Sequence, residues 1–193
     1  MTIKKNIVLE KEGNKPILVD LFYDSSNNKM PVIIFCHGYK GYKDWGCWNL
    51  VAKEFATSNL FFIKFNFSHN GGTVQNPIDF PDLNAFGNNN FTHELNDIER
   101  VISFVSSNKT FSTNIDLNNI FLIGHSRGGG ICAIKASEDK RIKGLISWAS
   151  VSNFKIRFSE GSEEFLKWKE KGVKYVENKR TKQLMPHFYQ FYL

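Results

Sequence analysis

Two rhythms of apolar residues alternate along the chain. Residues 3–10 and 16–23 read as strands, with Ile17, Val19 and Leu21 alternating against their neighbours and Glu12-Gly13-Asn14 supplying the turn between them. Pro31 then opens the run VIIFC, whose unbroken apolar character fits a strand covered on both faces. After it the period lengthens: Trp48, Val51, Ala52, Phe55 and Ala56 recur at helical spacing, predicting a helix that Asp44 caps. LFFIKFN at 60–66 is the next strand. Leu95, Ile98, Ile102 and Val105 define a further helix, with Thr92 as its cap and Glu94 in its first turn. NIFLIGH at 119–125 reads as a buried strand running straight into a helix that continues to Glu138, and KGLISWAS at 143–150 as one more strand. Residues 160–172 have helical character, whereas 173–193 are rich in aromatics without a clear period. The succession predicts an α/β domain with a mostly parallel sheet and helices on both faces.

Between the strand at 60–66 and the helix after Thr92 lies a long Asn- and Gly-rich segment, residues 67–91. A connection of that length inside one domain is usually functional.

Composition narrows the class. A chain of 193 residues is one domain by length, and 18 Phe within 15% aromatics can fill a sizeable core. The longest apolar runs, Ile33–Cys36 and Leu60–Ile63, fall far short of a membrane span. The opening MTIKKNIVLEKEG carries charges where an export signal needs an apolar run. Three cysteines, Cys36, Cys47 and Cys132, form an odd set without metal-type spacing, and Asp79, Asp82 and Asp97 have no metal-loop spacing either. The expectation is a reduced, cytoplasmic protein with no metal and no cofactor. The net charge of +6 is concentrated in 154–193, with 9 Lys and Arg against 5 Asp and Glu. There Lys167, Lys169, Lys171 and Lys174 interleave with Glu163, Glu164 and Glu170, which reads as a solvated helix face rather than a nucleic-acid or membrane surface.

The candidate chemistry sits at Gly124-His125-Ser126-Arg127-Gly128, a G-x-S-x-G pentapeptide between a predicted buried strand and a predicted helix. There the turn must be sharp enough to lift Ser126 Oγ above the sheet edge, and Gly124 and Gly128 keep Cβ atoms out of the bend. The alternatives are a plain Gly-rich turn or a phosphate loop, but the segment lacks both the Gly-Lys-Ser/Thr ending and G-x-G-x-x-G. A second feature is His37-Gly38-Tyr39-Lys40-Gly41, directly after VIIFC. Acyl transfer needs two backbone N–H groups aimed at the developing oxyanion, and the Arg127 and Tyr39 amides are the candidates.

With HGYKGYKDWG at 37–46, the Asn- and Gly-rich loop and GHSRGG at 124–129 in this order, the chain resembles the α/β-hydrolase superfamily, in particular its dienelactone-hydrolase-like and serine-aminopeptidase-like branches. The resemblance covers residues 1 to about 150. It implies a serine hydrolase that cleaves a carboxylic ester, or less readily an amide, through an acyl-enzyme on Ser126, with Tyr39 and Arg127 as oxyanion hole and Gly38, Gly124 and Gly128 shaping the two loops. A small ester or short acyl substrate is the implied partner. The family places its acid after a seventh strand and its His after an eighth, and neither strand is visible after Ser150. The expectation is therefore a core over 1–153, the truncated start of a lid insertion over 154–193, strands seven and eight missing, and a catalytic acid and His beyond Leu193. A non-catalytic relative binding a small acyl or anionic ligand is the alternative.

The other residues receive plainer readings. His125 packs beside the elbow, His69 is a possible substrate contact, and His187 lies in MPHFYQFYL, which does not look like a loop after a final strand. Lys40 and Lys43 read as exposed loop lysines, and Cys36 and Cys132 as small buried hydrophobes.

Overall fold

β-Branched and aromatic runs become six strands of one sheet. In the computed structural model, which describes residues 1–24, 29–108, 110–111, 113–155 and 158–193, these are β1 (Thr2–Leu9), β2 (Ile17–Tyr23), β3 (Met30–Cys36), β4 (Phe61–Asn66), β5 (Ile115–His125) and β6 (Ile142–Trp148). Their spatial order is β1-β2-β4-β3-β5-β6. β1 and β2 run antiparallel to their neighbours, whereas β4, β3, β5 and β6 are mutually parallel. The helices are α1 (Trp48–Thr57), the short α2 (Leu83–Gly87), α3 (Phe91–Ser107) and α4 (Arg127–Glu138), followed after β6 by α5 (Glu163–Lys171).

Alternation along β3 shows how the two faces are filled. Val32, Ile34 and Cys36 join the cluster built with Ile98, Val101, Ile102 and Val105 of α3 and Ile131 and Cys132 of α4. Ile33 and Phe35 point the other way, to Trp48, Ala52 and Ala56 of α1. Helices therefore cover both faces, and β3 and β4 are buried nearly throughout, as expected for parallel strands, whereas β6 at the sheet edge is largely open.

Two predicted caps are displaced. Asp44 does not cap α1, which begins at Trp48 after Cys47; its carboxylate is instead taken by Lys43, Lys64 and Asn49. Asn90, not Thr92, caps α3, its side chain accepting from the His93 N–H at 2.8 Å. The helix expected over 160–172 is α5, opened by Ser162 and ended by Gly172 at φ 71°. Beyond it the aperiodic stretch 173–193 is not irregular. It forms the antiparallel hairpin β7 (Val173–Glu177) and β8 (Leu184–Phe188), a sheet separate from the central one, and then a 3₁₀ turn, Tyr189–Phe191. Each strand has five residues, one of which in β8 is Pro186, so neither offers the sustained alternation that marks a strand in sequence.

The hairpin lies over the α2 region and is packed by rings. Trp168 of α5 is 1% exposed, contacts Phe158, Phe165, Tyr189 and Tyr192, and donates its indole N–H to the His187 carbonyl at 2.7 Å. Phe188 crowds Gly87, where an added Cβ would meet the ring at 3.0 Å. No helix among the described residues is long and apolar enough to cross a membrane.

Candidate active site

Ser126 stands between the end of β5 and the start of α4 with φ 55° and ψ −122°. For a residue with a side chain this is a strained backbone, of order 1–3 kcal/mol, which persists only where its surroundings fix it. The fixings are visible. The Ser126 N–H donates to the Trp148 carbonyl at 2.9 Å, and the Ser126 carbonyl accepts from Gly129 and Val151 at 3.1 and 3.2 Å. The bend is possible only without side chains: a Cβ on Gly128 would lie 2.4 Å from the His37 carbonyl oxygen, and one on Gly124 would lie 2.4 Å from Gly129 Cα. Gly38 of the neighbouring loop also comes too close for a side chain, since a Cβ there would meet Ser126 Cβ at 2.9 Å.

The loop after β3 therefore sits directly against Ser126 and brings Tyr39 beside Arg127, whose guanidinium carbon is 5.2 Å from the Tyr39 ring centroid. Arg127 is the first residue of α4, so its amide belongs to the helix N-terminus, where partial positive charge favours an oxyanion. Its side chain also faces the Phe191 ring at 5.6 Å and is ion-paired with Glu94 of α3, which is 1% exposed.

Beneath this loop is a buried charge cluster. Asp20 of β2 and Lys64 of β4 are directly paired across the sheet. The Asp20 carboxylate accepts from Lys43 and Lys64 at 2.9 and 2.8 Å, and both lysines reach Asp44 at 2.6 and 2.7 Å. Asp20, Lys43 and Lys64 are each 0–1% exposed. Lys43 is thus not the exposed loop lysine its position suggests: its chain turns inward to Asp20, and its backbone N–H donates to Asn66 Oδ1 at 2.7 Å. Burial pushes the Lys64 ammonium down, with Asp20 and Asp44 opposing it. Burial also acts to raise the Asp44 carboxyl, but hydrogen bonds from Lys43 and Lys64 outweigh it and hold that group well below the usual carboxylate range. Lys40 is on the rim, over the Tyr39 ring at 5.3 Å and donating to the Glu177 carbonyl at 3.2 Å.

Above Ser126 is a cavity of about 240 Å³. Ser126, Tyr39 and Arg127 form its floor, Phe91, Val151, Asn153, Phe154, Phe158 and Phe191 its walls, and Lys174, Val176 and His187 of the hairpin its far side. His187 is the residue sequence reasoning undervalued. The hairpin returns it to the cavity, where its Nε2 is 2.7 Å from the Tyr39 hydroxyl oxygen. Burial and the charges of Lys174, Arg127 and Lys40 lower it to about 4, so the ring is neutral near pH 7. Among the described residues no hydrogen bond joins the Ser126 hydroxyl to a histidine.

The remaining histidines are elsewhere. His37 Nδ1 donates to the Gly38 carbonyl at 2.9 Å and Nε2 accepts from the Phe67 N–H at 3.3 Å, an assignment fixed because a carbonyl only accepts and an amide N–H only donates. Burial, joined by Arg127 and His125, lowers it to about 4 against the opposing Gly38 hydrogen bond. His125 packs on the Trp48 ring at 5.3 Å. His69 does not line the Ser126 cavity: it stacks on His93 at 4.1 Å and its Nδ1 is 2.8 Å from Ser68 Oγ. Asp97 is buried beneath that loop, accepts the Ser68 N–H at 2.7 Å, and is raised to about 6 by burial. Cys36 and Cys132 are buried in the core, and burial and the neighbouring Cys132 raise the Cys36 thiol.

No protein-family profile and no curated protein sequence matches this chain. Solved structures do. The chain is similar to the alpha/beta hydrolase GrgF from Penicillium sp. sh18 at 14% identity and a TM-score of 0.72, over 96% of this chain and 62% of that one. Against mouse alpha/beta hydrolase domain-containing protein 10 the values are 17% and 0.68, over 99% and 68%. A sugar hydrolase, YeeB from Lactococcus lactis, matches at 22% identity and a TM-score of 0.57, over 78% and 55%. The chain has the α/β-hydrolase fold, with a mostly parallel sheet, a strained serine after β5 and a loop after β3 facing it. It spans about half the length of several of the structures it matches.

Proposed function

We propose that this chain carries the nucleophile and oxyanion hole of a serine hydrolase that cleaves carboxylic esters. The observation that carries the reading is the Ser126 backbone, held at φ 55° between a buried strand and a helix N-terminus and opening into an apolar cavity. In the proposed reaction Ser126 Oγ attacks the ester carbonyl and its proton passes to a base. The oxyanion accepts hydrogen bonds from the Tyr39 and Arg127 amides, the alcohol leaves, and water releases the acid from Ser126. His187 is in the cavity but is engaged by Tyr39 and not by Ser126. The base and its acid partner are therefore proposed to lie outside residues 1–193. Oxyanion stabilisation and binding alone give only a small residue of the full rate.

The engagement of His187 by Tyr39 also favours a second reading, a non-catalytic protein that binds a small acyl or anionic ligand. The two separate in a turnover assay. Protein purified from its own cells should hydrolyse a 4-nitrophenyl ester, and Ser126→Ala should lose at least about a thousandfold in kcat. Undiminished hydrolysis in the variant contradicts the nucleophile assignment. Absence of hydrolysis by the natural protein across short-chain esters favours the binding protein.

A further inference from the structure

The hairpin turns one chemically distinct face toward Ser126. Lys174 is paired across the strands with His187, and Val176 follows two residues on; the pleat sends these to one side, and all three line the cavity. The Lys174 ammonium stands 4.3 Å from the Trp168 ring centroid and 5.4 Å from that of Phe158. Two aromatic rings thus hold a cation at the cavity wall. The carboxylate Lys174 meets is Glu164 at 3.9 Å, on a side chain 84% exposed, so solvent screens that pair.

Two other charges beside the cavity are already committed. Arg127 is paired with buried Glu94, and Lys40 donates to the Glu177 carbonyl. Among the described residues lining the cavity none is Asp or Glu. Burial first, and then the charges of Lys174, Arg127 and Lys40, hold His187 down to about 4, so the ring adds no charge of its own near pH 7. The rest of the lining is mostly apolar, with Phe91, Phe154, Phe158 and Phe191 around the space between Ser126 and the hairpin.

We propose that the cavity takes an ester with an apolar body ending in a carboxylate, and that Lys174 is the residue that binds this carboxylate. The proposal rests on the reading of Ser126 as an ester-cleaving nucleophile and adds the substrate class. The ester carbonyl would sit at Ser126, the apolar body against the phenylalanines, and the anion at the hairpin. Lys174 therefore acts in specificity and not in the bond-breaking step.

Isothermal titration with two probes of one shape, 4-phenylbutanoate and 4-phenylbutanamide, tests it on the protein purified from its own cells. The expected result is binding of the carboxylate about tenfold more tightly than the amide at low salt, with the preference shrinking as salt rises. Lys174→Met keeps the apolar stem and should bring the ratio to about one, whereas Lys174→Arg should keep it. Equal affinity for the two probes, binding of neither, or a preference that survives in Lys174→Met overturns the proposal. Fluorophosphonate labelling of Ser126 in the same samples reads the underlying assignment separately. Labelling without charge preference overturns the substrate class alone. Charge preference without labelling overturns the nucleophile and leaves the carboxylate site standing.

Discussion

The loop bearing Tyr39 is held from two sides by different physics. Below it, Asp20, Lys43, Asp44 and Lys64 form a buried lattice of four charges that joins the loop to β2 and β4. Above it, the hairpin and α5 meet the loop and cavity mainly through rings, with Tyr39, Phe86 and His187 in mutual contact and Trp168 as the anchor. The charged side is specific and intolerant, because every member has its partners within 3 Å and three of the four, Asp20, Lys43 and Lys64, are buried away from solvent. The aromatic side is adaptable, because dispersion and ring stacking survive small shifts in angle. A fixed base under the proposed oxyanion donors and a yielding cover over the cavity suit the proposed reading of this site as one that must hold a transition state yet admit a ligand.

The largest expected effect breaks the base. Asp20→Ala leaves two buried ammonium groups sharing the Asp44 carboxylate alone, one charge uncompensated, and should destabilise the protein by about 3–5 kcal/mol, read as a lower midpoint in urea unfolding. Loss of under about 1 kcal/mol would mean that the lattice does not hold the loop. The cover should respond differently. Trp168→Ala should remove about 3 kcal/mol, but the loss should appear in hydrogen exchange as reduced protection of residues 163–192, with β3 and β5 protected as before. Equal loss of protection in the central strands would show that base and cover unfold as one.

Acid sharpens the comparison. His37, His69 and His187 each have a folded pKa of about 4 against an ordinary value of 6.5. The unfolded chain thus binds protons that the folded one refuses, so their contribution is intact above pH 6.5 and is lost as pH falls from there toward 4. Asp97, raised to about 6, works in the opposite direction between pH 6 and 4 and offsets part of the loss. The net expectation is a melting temperature that falls between about pH 7 and 4.5, with His187→Gln flattening the part of the slope that belongs to the cover. A melting temperature that rises over this interval would contradict these signs. The smallest effect is expected from Tyr39→Phe, which removes the bond to His187 and should cost about 1 kcal/mol locally, read as faster exchange in β8.

What the sequence disclosed follows from what repeats. The six central strands and the helices at Trp48, Phe91 and Arg127 have sustained periods or unbroken apolar runs, so their existence and order were legible, with ends moved by a few residues. The elbow was legible because glycine spacing is itself a steric requirement at Gly124 and Gly128. The charge lattice was not, because a lysine in a polar loop reads as exposed unless its partner is known. A signal did exist in ILVDLFY and FFIKFN, where one charged residue interrupts each apolar strand. The hairpin escaped because its strands are short and its stabilising contacts are long-range rings. With it went the place of His187 and Lys174, which depends on a fold-back that no local pattern encodes.

The central claim is that Ser126 is a nucleophile in this cavity, and intact-mass spectrometry of the protein from its own cells, before and after a fluorophosphonate probe, addresses it most directly. The account predicts a single adduct that is lost in Ser126→Ala. No adduct, or an adduct that persists in the variant, would contradict it.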